Sequence, residues 1–108
     1  MSFMLTSYQI KWKTKTVTRR RGWKFLKAGD ILNACVKCQG IPKGGKIEKI
    51  CEIRVVSVKR ERLSKINKKE LGLEGFPDWP RQDFINMFCD QIGGHPEQTI
   101  TRIEFEYV

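Results

Sequence analysis

Ile53-Arg54-Val55-Val56-Ser57-Val58 places four β-branched aliphatic residues within six positions. Side chains branched at Cβ favour extended backbone. The run is the centre of a stretch, 47–59, that reads as one long strand at the middle of a sheet. Working outward, residues 31–37 (Ile31, Leu32, Ala34, Val36) form a second strand, joined to the first by the turn-rich Gly40-Ile41-Pro42-Lys43-Gly44-Gly45. On the C-terminal side, 99–107 alternates: Ile103, Phe105 and Tyr107 face one way, and Arg102, Glu104 and Glu106 the other. That is the pattern of a half-buried strand. Between them Phe84, Ile85, Phe88, Cys89 and Ile92 recur at helical spacing over 80–92, an apolar stripe that has to pack on the sheet, with Gly93-Gly94 as its stop. Asn67 and Glu70 have capping-box spacing and open a short helix toward Leu71 and Leu73. Upstream, residues 1–5 read as a short strand, Thr6 caps a helix over 7–13, 15–20 is extended, and 22–30 is a loop closed by Gly29-Asp30. The class is α+β: about five strands in a small mixed barrel or curled sheet, with short flanking helices.

At 108 residues, the chain is one domain, 1–108, with a single modest core. Its 40% hydrophobic and 31% charged residues are those of a soluble protein, and no apolar run reaches the ~20 residues of a membrane span. The N-terminus lacks the features of a secretory signal, so the expected compartment is the cytoplasm; the sequence leaves the oligomeric state open, with a monomer favoured. Charge is divided unevenly along the chain. Residues 1–69 hold 19 Lys/Arg against 4 Asp/Glu, a surplus of +15, whereas 70–108 hold 2 against 8, a deficit of −6. A polyanion is the partner this favours, and nucleic acid rather than membrane, because no cationic amphipathic helix is present. Cys35-Val36-Lys37-Cys38 is a C-x-x-C without the second half of a zinc signature, so Cys35, Cys38, Cys51 and Cys89 are read as structural thiols. Neither a metal nor a cofactor is expected. His95, in Gly94-His95-Pro96, reads as solvated.

Function concentrates in Lys11-Trp12-Lys13-Thr14-Lys15-Thr16-Val17-Thr18-Arg19-Arg20-Arg21: six cations, three threonines, a tryptophan and no acid. Burying so many unpaired ions would cost several kcal/mol each. The segment therefore meets water, counter-charge or an anionic ligand. Its Thr-Val-Thr centre argues for a fixed strand rather than a loose tail. Lys13, Lys15, Thr16, Thr18, Arg19, Arg20 and Arg21, with Trp23 and Lys24 beside them, make up the expected nucleic-acid-binding set. Several of these side chains, and Glu74, also have a plainer role: phosphate contact for Lys15, strand former for Thr18, core packing for Trp23, Phe25 and Trp79, and for Glu74 a pairing with Arg19 or Arg20 that fixes a pocket wall.

The blocks Lys15-Thr16-x-Thr18-Arg19-Arg20, Gly29-Asp30 and Val55-Val56-Ser57-Val58-x-Arg60-Glu61-x-Leu63 together resemble the ASCH family. The agreement continues through Glu74-Gly75-Phe76-Pro77, Asp83-Phe84-Ile85 with Phe88-Cys89, and Thr101-Arg102-Ile103-Glu104-Phe105. The blocks fall in family order over nearly the whole chain, which looks like the compact stand-alone bacterial and phage type. The resemblance implies a PUA-like β-barrel and an RNA or nucleoside ligand. Some small members are similar to amidohydrolases that deacetylate acetylated cytidine, and others are linked to RNA cleavage. For the former it places the catalytic Lys, Thr and Glu on Lys15, Thr18 and Glu74. Chemically, Lys15 would serve as nucleophile or base once its pKa is lowered by neighbouring cations. Thr18 would hold a water or donate to an oxyanion. Glu74, on a Gly-flanked loop, would move a proton to the departing amine. On a regular strand Lys15 and Thr18 point to opposite faces, so a shared site requires a helix-to-strand transition between them. Where relatives have Ser or Thr before the helix-opening proline, this chain has Trp79, leaving Asp78 to cap and Trp79 to edge the site. RNA binding in a basic groove over 13–21, facing the loop with Glu74, ranks first on sequence. The hydrolase reading, amidohydrolase or ribonuclease, is second, and a partner-docking protein third.

Overall fold

A computed structural model describes residues 1–37 and 44–108. Cys38 and most of the Gly40 to Gly45 turn lie outside the described residues. The strands are β1 (Val17–Arg20), β2 (Ile31–Cys35), β3 (Lys49–Arg62) and β4 (Thr99–Tyr107), and the helices α1 (Ser7–Lys11), α2 (Lys68–Glu74) and α3 (Arg81–Gln91). Every strand pairing is antiparallel, in the order β1-β4-β3-β2. The β-branched run lies in β3, an inner strand 14 residues long. Its register against β4 slips between Val55 and Ser57, a bulge that bends the strand and lets the sheet curl into a half-barrel.

Residues 1–5 are not a strand of their own. Ser2 makes a single parallel bridge to Cys35, and Met4–Thr6 is a 3-10 turn. Phe3 N–H donates to Cys35 O (2.8 Å), Cys35 N–H to Met1 O (2.9 Å), and Arg20 on the opposite edge strand donates to Ser2 O (2.7 Å). The N-terminal segment thus joins both edges of the sheet, covering backbone that would otherwise stand unpaired.

Two cores form. Phe3, Ile10, Ala34, Ile53, Val55, Ile103 and Phe105 pack together, with Trp23 against them. Leu63, Ile66, Leu71, Phe84, Ile85, Phe88 and Ile100 make the second. The α3 stripe therefore packs mainly on α2 and the start of β4 rather than across the sheet, and Ile92 at its end stays 38% exposed. The alternation expected of β4 holds only toward its end, because Ile100 enters the second core while Arg102 is buried in an ion network. Asn67 caps α2 as its spacing predicts, its Oδ1 accepting from Glu70 N–H at 2.9 Å. Gly93, past the end of α3, is left-handed at φ 111°. Thr6 and Asp78 make no side-chain cap: none is formed at α1, and α3 opens on Pro80 without one. Trp79 packs on Phe76, ring centroids 4.4 Å apart.

Candidate functional site

Between α1 and β1 the chain supplies the helix-to-strand transition that a shared site needs. Lys13 takes a left-handed φ of 59°, turning the backbone sharply after the short helix. Residues 14–16 are irregular and held from three sides. Thr16 N–H donates to Leu73 O at the end of α2 (2.9 Å), Phe105 N–H donates to Thr16 O (2.9 Å), and the Tyr107 hydroxyl donates to Lys15 O. β1 begins only at Val17. Lys15 and Thr18, freed from strand alternation, both line one hollow.

Glu74 is the last residue of α2, not a loop residue as the flanking glycines imply. Gly75 follows as a left-handed cap at φ 98°, so the helix end itself presents the carboxylate. Lys15 Nζ donates to Glu74 Oε1 (2.6 Å) and to the Glu74 carbonyl (2.9 Å), satisfying a terminal helix carbonyl and the side chain together. The other oxygen, Oε2, accepts from Arg19 NH1 at 3.0 Å. Exposure is 2% for Lys15 and Glu74 and 3% for Arg19 and Thr18. Burial pulls the Lys15 ammonium below its ordinary 10.5; the charge and hydrogen bond of Glu74 oppose this, and Arg20 and Arg19 reinforce it.

Behind Glu74 the ion pairs continue. Arg19 NH2 bonds Glu61 Oε1 at 3.0 Å and approaches Glu70 at 3.7 Å, while Arg102 grips Glu70 at 2.9 and 3.3 Å. Lys15, Arg19 and Arg102 thus face Glu61, Glu70 and Glu74 in equal number, which is how so much charge is buried at tolerable cost. Two of the six cations that made the basic run conspicuous, Lys15 and Arg19, are spent here. The register pairs Arg19 with Arg102 on β4, and only Glu61, Glu70 and Glu74, distant in sequence, prevent that contact from being repulsive.

The hollow beside this network holds about 200 Å³, room for roughly six waters or one planar ring with a substituent. Lys15, Thr18, Arg19, Arg20 and Glu74 form its polar side, Phe3, Phe76, Phe84 and Phe88 its apolar walls, and Met4, Leu5 and Ile92 its exposed lip. Arg20 Nε donates to Thr18 Oγ1 at 3.1 Å, which leaves the threonine's own proton to donate elsewhere.

Of the remaining expected contacts, Lys13, Thr16, Arg21, Trp23 and Lys24 do not line the hollow. Lys13, Arg21 and Lys24 are exposed, Thr16 and Trp23 half-buried, and Trp79 lies against Phe76 rather than at the lip. Glu61 and Glu70 were not legible as site residues. Glu61 sits on β3 among basic neighbours and reads as surface, and Glu70 reads only as part of a cap. Among the described residues no group of three His, Cys, Asp or Glu side chains is gathered to hold a metal, and no helix is long and apolar enough to cross a membrane.

No family model matches the chain, and no curated protein does. Solved structures do. A crystal structure of an Enterococcus faecalis protein of family DUF984 superposes with a TM-score of 0.65 at 18% identity, over 93% of this chain and 65% of that one. The ASCH domain from Lactobacillus crispatus superposes at 0.61 with 14% identity, over 95% of this chain and 70% of that one. The chain therefore spans just under two thirds of the length of the Enterococcus protein. Overlap of nearly the whole chain at so little identity is a likeness of fold alone: the chain folds as these two structures do, one of them an ASCH domain.

Proposed function

We propose that the domain, acting as a monomer, is a small amidohydrolase that removes an acyl group from the exocyclic amine of a nucleobase, as in acetylated cytidine. The observation that carries this reading is the hydrogen-bonded Lys15–Glu74 pair, with Thr18 beside it, in a hollow of single-ring size. Sequence alone ranks RNA binding first. The order is reversed because a narrow hollow with apolar walls and a buried lysine suits chemistry on one base better than tracking of a backbone.

Burial weakens the hold of Lys15 on its proton, which passes over the 2.6 Å bond to Glu74, and the amine so freed takes a proton from a water as that water attacks the acyl carbon. Thr18 Oγ1–H donates to the carbonyl oxygen as it becomes an oxyanion. Glu74 then gives the proton it received to the departing exocyclic amine as the C–N bond breaks, which restores its ion pair with Lys15. Water and amide are consumed; carboxylic acid and free amine are released. Arg19 keeps Glu74 oriented through the second oxygen.

Incubation of the purified chain with acetylcytidine, followed by chromatography of cytidine, tests the proposal. Lys15→Met and Glu74→Gln should each lose about a hundredfold or more in kcat, as expected of a general base or proton carrier, with the fold retained by circular dichroism. Full activity in Lys15→Met, or no turnover of acetylated cytosine or cytidine by folded wild type, would overturn it.

RNA binding is the second reading, favoured by the exposed Lys11, Lys13, Arg21 and Lys24. These cations are free to meet phosphates, whereas Lys15 and Arg19 are occupied by Glu74. A ribonuclease would place the Lys15–Glu74 pair beside a phosphodiester, and metal-independent cleavage of RNA in place of deacylation would identify it.

A further inference from the structure

The segment from Met4 to Trp12 is apolar on two sides, and the fold covers only one of them. Thr6 and Ile10 are buried, Ile10 in the first core with Phe3 and Phe105. Facing outward are Met4, Leu5, Tyr8 and Trp12, the last two 72% and 77% exposed. A helical segment that is apolar all round is normally buried all round. Tyr8 and Trp12 stand one turn apart, separated by ~6 Å of rise, so their rings form a strip rather than scattered exceptions. Exposed apolar strips of this kind mark a surface that something covers.

Charge along the strip has a single sign. Residues 1–29 contain no Asp or Glu. Lys11 and Lys13 flank Trp12, both are exposed, and among the described residues neither is matched with a carboxylate. Lys11 Nζ stands 5.7 Å from the centre of the Tyr8 ring, and Lys13 Nζ 6.0 Å from that of Tyr107.

From this we infer that the α1 face seats the domain on the surface of an anionic membrane. Met4, Leu5 and the two rings enter the boundary between headgroups and acyl chains, the depth that Trp and Tyr favour. Lys11 and Lys13 reach the lipid phosphates while their stems stay in the apolar layer. Other covers fit less well. A nucleic-acid strand stacks on the rings but gives Met4 and Leu5 no apolar cover. A second copy of this chain in a two-fold contact sets one basic patch against its equal. The seating is peripheral, since α1 has five residues and no described helix is long and apolar enough to cross a membrane. That brevity is why the sequence shows no cationic amphipathic helix: the strip exists because the Met4–Thr6 turn and α1 lie on the core with this side outward. Membrane seating is independent of the chemistry in the hollow, although Met4 and Leu5 also belong to its lip.

Sedimentation of the purified chain with vesicles tests it, comparing equal parts of phosphatidylcholine and phosphatidylglycerol with phosphatidylcholine alone. Binding to the anionic vesicles should be about tenfold tighter or more and should weaken as salt is raised. Tyr8→Ser combined with Trp12→Ser, at exposed positions, should lower it by about tenfold or more. Lys11→Gln combined with Lys13→Gln should lower it by about twentyfold at low salt, from roughly fivefold per lysine. Circular dichroism checks that each variant is folded. Failure of wild type to sediment with the anionic vesicles overturns the inference, and so does equal binding to both kinds of vesicle. Binding that survives loss of both rings in a folded variant overturns it too, because charge alone then holds the protein by another face. Where vesicles fail, a dimer dissolved by Trp12→Ser assigns the strip to a second copy, and affinity for single-stranded RNA lost with the two rings assigns it to a strand.

Discussion

Glu74 is the residue on which the buried charges balance. Its two oxygens answer Lys15 and Arg19 separately, so truncation strands two cations in a region where exposure is 3% or less. Glu74→Ala should destabilise by about 3–5 kcal/mol, the cost of breaking a buried pair from one side. Lys15→Met should cost less, since Glu74 keeps Arg19, and urea midpoints would rank the two. A loss smaller in Glu74→Ala than in Lys15→Met contradicts the network as described. The lowered pKa of Lys15 also fixes a sign. Between the folded value and 10.5 the unfolded chain binds more protons at this position than the folded one. Stability from this group therefore rises with pH up to 10.5 and is lost as pH falls. Tyr107, whose phenol burial pushes up to about 12, acts oppositely: above pH 10 the unfolded chain releases that proton first and stability falls. Wild type should thus gain on Lys15→Met as pH is raised from 7 toward 10, measured as the difference in urea midpoint. A difference that is flat or shrinking over that range is the contrary result.

At the scale of the element, the short helix α2 brings Glu74 into place. Asn67 starts it and Gly75 ends it, the latter at φ 98° with a Cβ position only 2.7 Å from Gln9 Cγ. Gln9 in turn donates to Gly75 O, so α1 and the end of α2 are fitted to each other through a glycine. Gly75→Ala brings left-handed strain of about 1–2 kcal/mol together with displacement of Gln9, and should lower both the melting temperature and turnover. Gly44→Ala has comparable backbone strain at φ 83° and, among the described residues, nothing within 4 Å, so it should lower stability and spare turnover. Equal turnover in the two variants would separate the helix cap from the site. The spacing Asn67-x-x-Glu70 announces this helix in the sequence, because a cap is a local hydrogen bond. Its last residue is not announced: Gly72 and Gly75 around Glu74 read as loop, and packing of Leu71 with the α3 aromatics extends the helix through the first of them.

Across the whole molecule, the net charge of +9 and the site separate. Lys15, Arg19 and Arg102 are neutralised internally, while Lys11, Lys13, Arg21 and Lys24 remain at the surface. Affinity for single-stranded RNA should therefore fall with salt at a slope set by the surface cations, at about −0.7 per phosphate contacted. Charge reversal at Lys13, Arg21 and Lys24 should flatten that slope, and Lys15→Met should leave it unchanged. Fluorescence titrations at several salt concentrations measure both, and a slope that depends on Lys15 and not on the surface set would place the strand in the hollow instead.

By itself the sequence determined the class of fold, four strands and the helices, the Asn67 cap, and the three residues worth examining. Those signals are local periodicities and motifs, or family blocks in order. Only the tertiary structure decided that Lys15 and Arg19 are buried rather than presented to solvent. Their counter-charges come from Glu61, Glu70 and Glu74, 42 to 59 residues away along the chain. Sequence spacing does not carry such pairing, since it exists only once β1 lies on β4 and α2 closes over both. The hollow is a product of the same closure.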